Sequence, residues 1–177
     1  YVNEAFDSHT LARLPGRIAI GHVRYSTAGE SRIANAQPIV VDSVHGQLAV
    51  CHNGNLVNAG EMRDALVRQG AIFQTNSDTE VIVHLFARSQ REGAEGAIIE
   101  AVSQVRGAFS FVMMTKDRLI GVRDPHGFRP LALGRLKNAE WVLASETCAM
   151  DLIGATYVRD VEPGEVVVIS QHDIRSL

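Results

Sequence analysis

Residues 48–55 read Leu48-Ala49-Val50-Cys51-His52-Asn53-Gly54-Asn55. An apolar run closing on Asn-Gly predicts a strand that enters a tight turn, because Gly takes φ > 0 without steric cost and Asn tolerates it. The same dipeptide has a second reading. The side-chain amide of Asn53 and the backbone N–H of Gly54 are two donors that can converge on a developing oxyanion.

Working outward, the flanks repeat the strand signal. Arg17-Ile18-Ala19-Ile20-Gly21-His22-Val23, Pro38-Ile39-Val40-Val41 and Gln47 to Cys51 read as strands, with a polar, irregular stretch over residues 26–37 suited to a binding loop. The middle is helical. Asn58 with Glu61, and Ser77 with Glu80, have capping-box spacing, and Gly70 is placed to end the first of these helices. Val81/Leu85 and Ile82/Phe86 form an apolar stripe, and Ile98, Val102 and Val105 mark a third helix stopped at Gly107. Strands then return at residues 108–115, 119–122, 131–133, 141–144 and 165–169, with a turn at Asp124-Pro125-His126-Gly127. Helices gathered between two groups of strands argue against a doubly wound parallel sheet and for a mostly antiparallel α+β structure with helices laid on it.

Composition narrows the function. The chain has 177 residues, 46% hydrophobic and 21% charged, with a net charge of −3. That is an ordinary globular composition with no basic surface for nucleic acid and no polybasic membrane patch. No apolar run approaches the roughly 20 residues of a membrane helix, no secretory signal opens the chain, and a cytoplasmic setting is expected. The two cysteines, Cys51 and Cys148, fit buried free thiols better than a disulfide framework or zinc site. The seven histidines form no recognisable ligand cluster. Gly-rich phosphate loops and the Gly-X-Ser-X-Gly elbow are absent.

Charge complementarity offers a substrate class. A free amino acid needs a guanidinium for its carboxylate and a carboxylate for its ammonium. Arg24 follows a predicted strand and Asp78 sits at the start of a predicted helix, although a solvated arginine and a helix-dipole aspartate are the plain alternatives. His52 either lines a site beside Asn53 or is a hydrogen-bonded, half-buried side chain.

Seven strings occur in order: Gly21-His22-Val23-Arg24-Tyr25-Ser26-Thr27-Ala28-Gly29, His52-Asn53-Gly54-Asn55-Leu56-Val57-Asn58, Asn76-Ser77-Asp78-Thr79-Glu80-Val81, Arg106-Gly107-Ala108-Phe109-Ser110, Arg123-Asp124-Pro125-His126-Gly127-Phe128-Arg129-Pro130-Leu131, Ser145-Glu146-Thr147-Cys148-Ala149 and Val161-Glu162-Pro163-Gly164-Glu165. Together the chain resembles the glutamine amidotransferase domain of the amidophosphoribosyltransferase family, within the N-terminal-nucleophile hydrolases. The resemblance implies a four-layer αββα sandwich. It implies that Arg24 holds the glutamine carboxylate, Asp78 its ammonium, and Thr27 lines the pocket, while Asn53 and Gly54 form the oxyanion hole. It implies an enzyme that hydrolyses glutamine and passes ammonia to phosphoribosyl pyrophosphate, giving 5-phosphoribosylamine in the first step of purine biosynthesis. Implied partners are glutamine, a phosphoribosyltransferase domain of the same enzyme and further copies in a homo-oligomer, a tetramer in the family. No cofactor is implied for this segment. The whole enzyme would carry Mg2+ at the phosphoribosyltransferase site and, in some members, an iron–sulfur cluster.

One departure stands out. The family's nucleophile is an N-terminal cysteine, and the first residue here is Tyr1. Residues 1–177 are therefore read as an incomplete amidotransferase domain lacking the nucleophile segment, the first strands and the phosphoribosyltransferase domain. Such a chain alone would be inactive and, with unpaired sheet edges, marginally stable. A non-catalytic glutamine-binding or interaction module is the alternative. Glucosamine-6-phosphate synthase is a second, but it usually has Trp and His where Tyr25 and Ala28 stand.

Overall fold

The structure, a computed structural model, describes residues 6–23 and 33–177. Arg24 and Thr27 lie outside the described residues. A short helix α1 (Ser8–Ala12) comes first, with the Asp7 carboxylate accepting from the Thr10 N–H at 2.7 Å. Strands β1 (Ile39–Ser43) and β2 (Gly46–Leu56) precede the helices α2 (Ala59–Arg68), α3 (Glu80–Arg88) and α4 (Gly93–Gln104). Then come β3 (Gly107–Met114), β4 (Leu119–Arg123), β5 (Ala132–Arg135), β6 (Trp141–Ala144), α5 (Cys148–Ile153), β7 (Thr156–Asp160), β8 (Val166–Ile169) and β9 (Ile174–Ser176).

The strands form a six-stranded sheet in the order β1-β2-β3-β4-β8-β9 and a three-stranded sheet β6-β5-β7. Every ladder described is antiparallel. Alternation along β3 and β8 sorts the large sheet's side chains to two faces. Phe109, Phe111, Met113, Val166 and Val168 meet Leu66, Ile82, Phe86 and Ile98 of the three central helices. Val112, Val167 and Ile169 face the small sheet through Leu131, Leu133 and Leu143. Each fully buried Phe or Leu here contributes about 1.5–3 kcal/mol. On the far side of the small sheet, α5 places buried Met150 where Gly134 has no side chain, since a Cβ there would lie 2.7 Å from the Met150 sulfur. The layers therefore run helices, sheet, sheet, helix, the α+β sandwich expected.

Four local expectations are corrected. Residues 17–23 alternate in exposure like a strand but join no ladder among the described residues. Neither capping box forms. Asn58 instead bonds the Gln104 carbonyl at 3.0 Å and the Arg106 N–H at 2.8 Å. Helix α3 begins after Thr79, and the Glu80 carboxylate reaches back to the N–H groups of Gln74 and Thr75, at 2.7 and 2.8 Å. Finally, Cys148 is exposed, whereas Cys51 is buried as expected. Gly70 does end α2, with the Ala71 N–H bonding back to the Leu66 carbonyl at 3.0 Å.

Glu165 ties the two sheets together. Its carboxylate takes both arms of the Arg159 guanidinium, each at 2.7 Å, together with the Glu162 N–H and the Ser176 hydroxyl. Burial pushes this carboxyl up, but the Arg159 fork and the other donors outweigh it and hold it at about 2, from an ordinary 4.5. A depressed folded-state value stabilises the protein above the unfolded value and is lost as pH falls through the folded one. The contribution is therefore complete above about pH 4.5 and disappears toward about pH 2. Urea unfolding across that window should show the wild type losing stability on acidification more steeply than Glu165→Gln. Parallel profiles would refute this role.

Candidate active site

Asn53-Gly54 is not a turn. It lies within β2, with Asn53 opposite Ser110 and Gly54 opposite Phe109 on β3. The turn expectation fails because strand pairing overrides the local preference of the dipeptide. Gly is needed for a different reason. Gly54 has φ = 139°, and a Cβ there would sit 2.0 Å from the Ala108 carbonyl oxygen. Gly107 mirrors it across the ladder, with φ = 142° and a Cβ position 2.1 Å from the Asn55 carbonyl oxygen. The two backbones approach so closely that neither position accepts a side chain. Burial changes at the same point: residues 48–52 are buried, Asn53 is half-buried, and Gly54 and Asn55 are exposed. The amide donors of this segment thus lie at the surface end of a rigid strand.

Asp78 is brought to the same segment from the start of α3. Its Oδ2 accepts the Leu56 N–H at 2.9 Å. Its Oδ1 lies 3.4 Å from His52 Nδ1, and the Thr79 hydroxyl donates to it at 3.5 Å. Asp78 is therefore tied to β2 on both sides of Asn53-Gly54. Burial pushes the Asp78 carboxyl up, but the hydrogen bonds from His52 and from the Leu56 and Thr79 N–H groups hold it below the ordinary carboxylate value. With 26% of the side chain exposed, it is an ionised acceptor able to receive a cationic ligand.

Several residues around this site escaped sequence reasoning. Gln37 accepts the His52 N–H through Oε1 at 2.6 Å and donates through Nε2 to the Thr79 hydroxyl at 3.3 Å. Thr79 is fully buried, and nothing in its sequence context distinguishes it from a helix cap. Asp124 opens a stretch whose composition predicts a turn. It makes one, with the Gly127 N–H bonding the Asp124 carbonyl at 2.9 Å, and it does more. Its buried carboxylate accepts from His126 and Phe128 N–H on Oδ1, at 3.0 and 3.1 Å, and from Arg129 and Phe109 N–H on Oδ2, at 3.0 and 3.3 Å. Burial pushes Asp124 up, and these four donors outweigh it and lower it. Phe109 is the residue facing Gly54. Cys51, beside His52, has its thiol pushed up to about 11 by burial, which leaves it inert as a nucleophile at neutral pH.

This sandwich, carrying a donor pair and a tethered carboxylate, has clear relatives. The profile of the glutamine amidotransferase domain family matches residues 22–151, and the chain belongs to that family. Its relatives include amidophosphoribosyltransferases. Amidophosphoribosyltransferase 2 of Arabidopsis thaliana, named chloroplastic, is 52% identical over 98% of this chain and 31% of its own length. The amidophosphoribosyltransferase of Bacillus subtilis is 46% identical over 99% of this chain and 37% of its own. The solved glutamine phosphoribosylpyrophosphate amidotransferase from B. subtilis, complexed with ADP and GMP, has a TM-score of 0.82 at 46% identity, over 88% of this chain and 33% of that one. The chain thus spans about a third of the length of these relatives.

Proposed function

We propose that this chain binds glutamine and forms the glutaminase part of an enzyme that transfers the released ammonia to phosphoribosyl pyrophosphate, yielding 5-phosphoribosylamine for purine biosynthesis. The observation that carries the reading is the ionised, partly exposed Asp78, tethered at His52 and Leu56 on either side of Asn53-Gly54. In this reading Asp78 receives the α-ammonium of glutamine and Arg24 its carboxylate, while Thr27 lines the pocket. The Asn53 amide and the Gly54 N–H stabilise the oxyanion formed when the side-chain carbonyl is attacked. One such donor contributes roughly 2.7–4 kcal/mol to a transition state of this kind. The attacking thiolate is assigned, by family resemblance, to an N-terminal cysteine of the whole enzyme, with its own amine as base.

The phosphoribosyltransferase domain, and assembly into a homo-oligomer, belong to the same proposal. So does a cytoplasmic setting, although the plant relatives are named chloroplastic. No helix among the described residues is long and apolar enough to cross a membrane. By family resemblance alone, Mg2+ and any iron–sulfur cluster are assigned to the rest of the enzyme. No step above runs through either.

Calorimetry tests the binding half. Glutamine should bind, and Asp78→Asn should weaken it at least tenfold, because a hydrogen bond to a charged group contributes about 1.5–3 kcal/mol. Glutaramate, which lacks the α-ammonium, should bind wild type and Asp78→Asn equally weakly. An unchanged glutamine affinity in Asp78→Asn would remove the ammonium assignment.

A further inference from the structure

Every polar group of His52 except one is engaged. Its N–H is held by Gln37 Oε1 at 2.6 Å, and its carbonyl accepts from His22 Nε2 at 3.1 Å. The side chain is 2% exposed, and its ring packs on Phe111 at 4.7 Å between centroids. Nδ1 lies 3.2 Å from Thr79 Oγ1 and 3.4 Å from Asp78 Oδ1. Nε2 is buried without a hydrogen-bond partner among the described residues.

The proton count assigns the tautomer. A threonine hydroxyl offers one proton and two lone pairs. Thr79 Oγ1 accepts from Gln37 Nε2 at 3.3 Å and donates to Asp78 Oδ1 at 3.5 Å. One lone pair is left, and His52 Nδ1 faces it. An unprotonated Nδ1 would instead point its lone pair at the ionised Asp78 oxygen, which is repulsive in a buried setting of low dielectric. A protonated Nδ1 satisfies both Thr79 and Asp78. It also leaves the isolated nitrogen, Nε2, as the one without a proton.

We propose that His52, as its Nδ1–H tautomer, is a positioning residue for Asp78: it fixes the Oδ1 side of that carboxylate while the Leu56 N–H fixes Oδ2. The role rests on the function proposed above, in which Asp78 receives the substrate ammonium. Because His52 immediately precedes Asn53, the same side chain sets the spacing between the ammonium site and the oxyanion donors. His52 does not touch the substrate. It acts through Asp78.

Two measurements test this. In 15N NMR of the imidazole, His52 should show a protonated Nδ1 and a bare Nε2; a protonated Nε2 overturns the assignment. In glutaminase kinetics of the intact enzyme, His52→Leu should raise KM for glutamine at least tenfold with kcat changed less than threefold. His52→Asn, whose amide NH2 stands near the Nδ1 position, should bring KM back to within threefold of wild type. Equal defects in the two variants, or a loss confined to kcat, overturn the positioning role. A wild-type enzyme that fails to bind glutamine overturns the function itself, an outcome distinct from a normal wild type with an unaffected His52→Leu. If His52→Leu does not fold, the wild-type NMR result still decides the tautomer, and His52→Asn the kinetics.

Discussion

Gly54→Ala is expected to be the most damaging single-methyl change in this chain. The added carbon would meet the Ala108 carbonyl oxygen at 2.0 Å and two further backbone atoms of β3 at 2.9 Å. None of these is the free end of a side chain, so relief requires the β2–β3 ladder to separate. The residue would also hold φ = 139°, a conformation essentially restricted to glycine and costing other residues about 1–3 kcal/mol. The combined loss should be on the order of 4 kcal/mol or more, in the range reserved for severe lesions. Urea or thermal unfolding of the purified variant measures it directly. A Gly54→Ala protein within about 1 kcal/mol of wild type would mean that the strands do not approach this closely. Any glutamine turnover should disappear with the mutation, because the N–H of residue 54 moves with its strand.

The second large effect is at Asp124. Each carboxylate oxygen accepts two backbone N–H groups, His126 and Phe128 on Oδ1 and Arg129 and Phe109 on Oδ2. An asparagine keeps the shape but offers one oxygen. In either amide orientation its NH2 confronts two N–H donors. Asp124→Asn is therefore predicted to be no milder than Asp124→Ala, with both losing about 2–4 kcal/mol. An unsatisfied buried donor costs about 1–3 kcal/mol, and water can reach the N–H groups of exposed His126 and Phe128. Chemical denaturation of the two variants side by side checks the ranking. A clearly more stable Asn variant would show that charge and acceptor number are not what Asp124 supplies.

Much of the fold was legible because buried strands advertise themselves. Residues 108–114 and 166–169 are largely apolar runs, and both lie in strands whose alternate residues face the helices and the small sheet. The strands that went unread are the ones without that signal. In β7, Thr156–Asp160, all but Arg159 are exposed, and β9 has three residues. Residues 17–23 have the alternation but join no strand ladder among the described residues, and alternation alone cannot supply one. The capping boxes failed because Asn58 and Glu80 found better partners elsewhere, across 48 residues at Arg106 in the first case. Within the site, Asp78 and the Asn53-Gly54 donors were readable as charge and hydrogen-bonding chemistry. The Gln37–His52–Thr79 network was not, since its members are 15 and 27 residues apart and meet only in three dimensions. Arg24 and Thr27 lie outside the described residues and rest on the family resemblance.

Phe109, the partner of Gly54 on β3, is held from the far side of its strand. Phe109 is gripped at both its N–H and its carbonyl by Asp124, whose own N–H reaches the Phe109 oxygen at 2.9 Å. The strand segment opposite Gly54 therefore cannot fray on its own; opening it means dismantling the loop at residues 124–130 and the ladder together. Movements of that size belong to cooperative unfolding, which is rare on the timescale of turnover. The entropy of ordering the Gly54 backbone is consequently spent when the chain folds; in the function proposed above, its N–H stands in place before glutamine arrives.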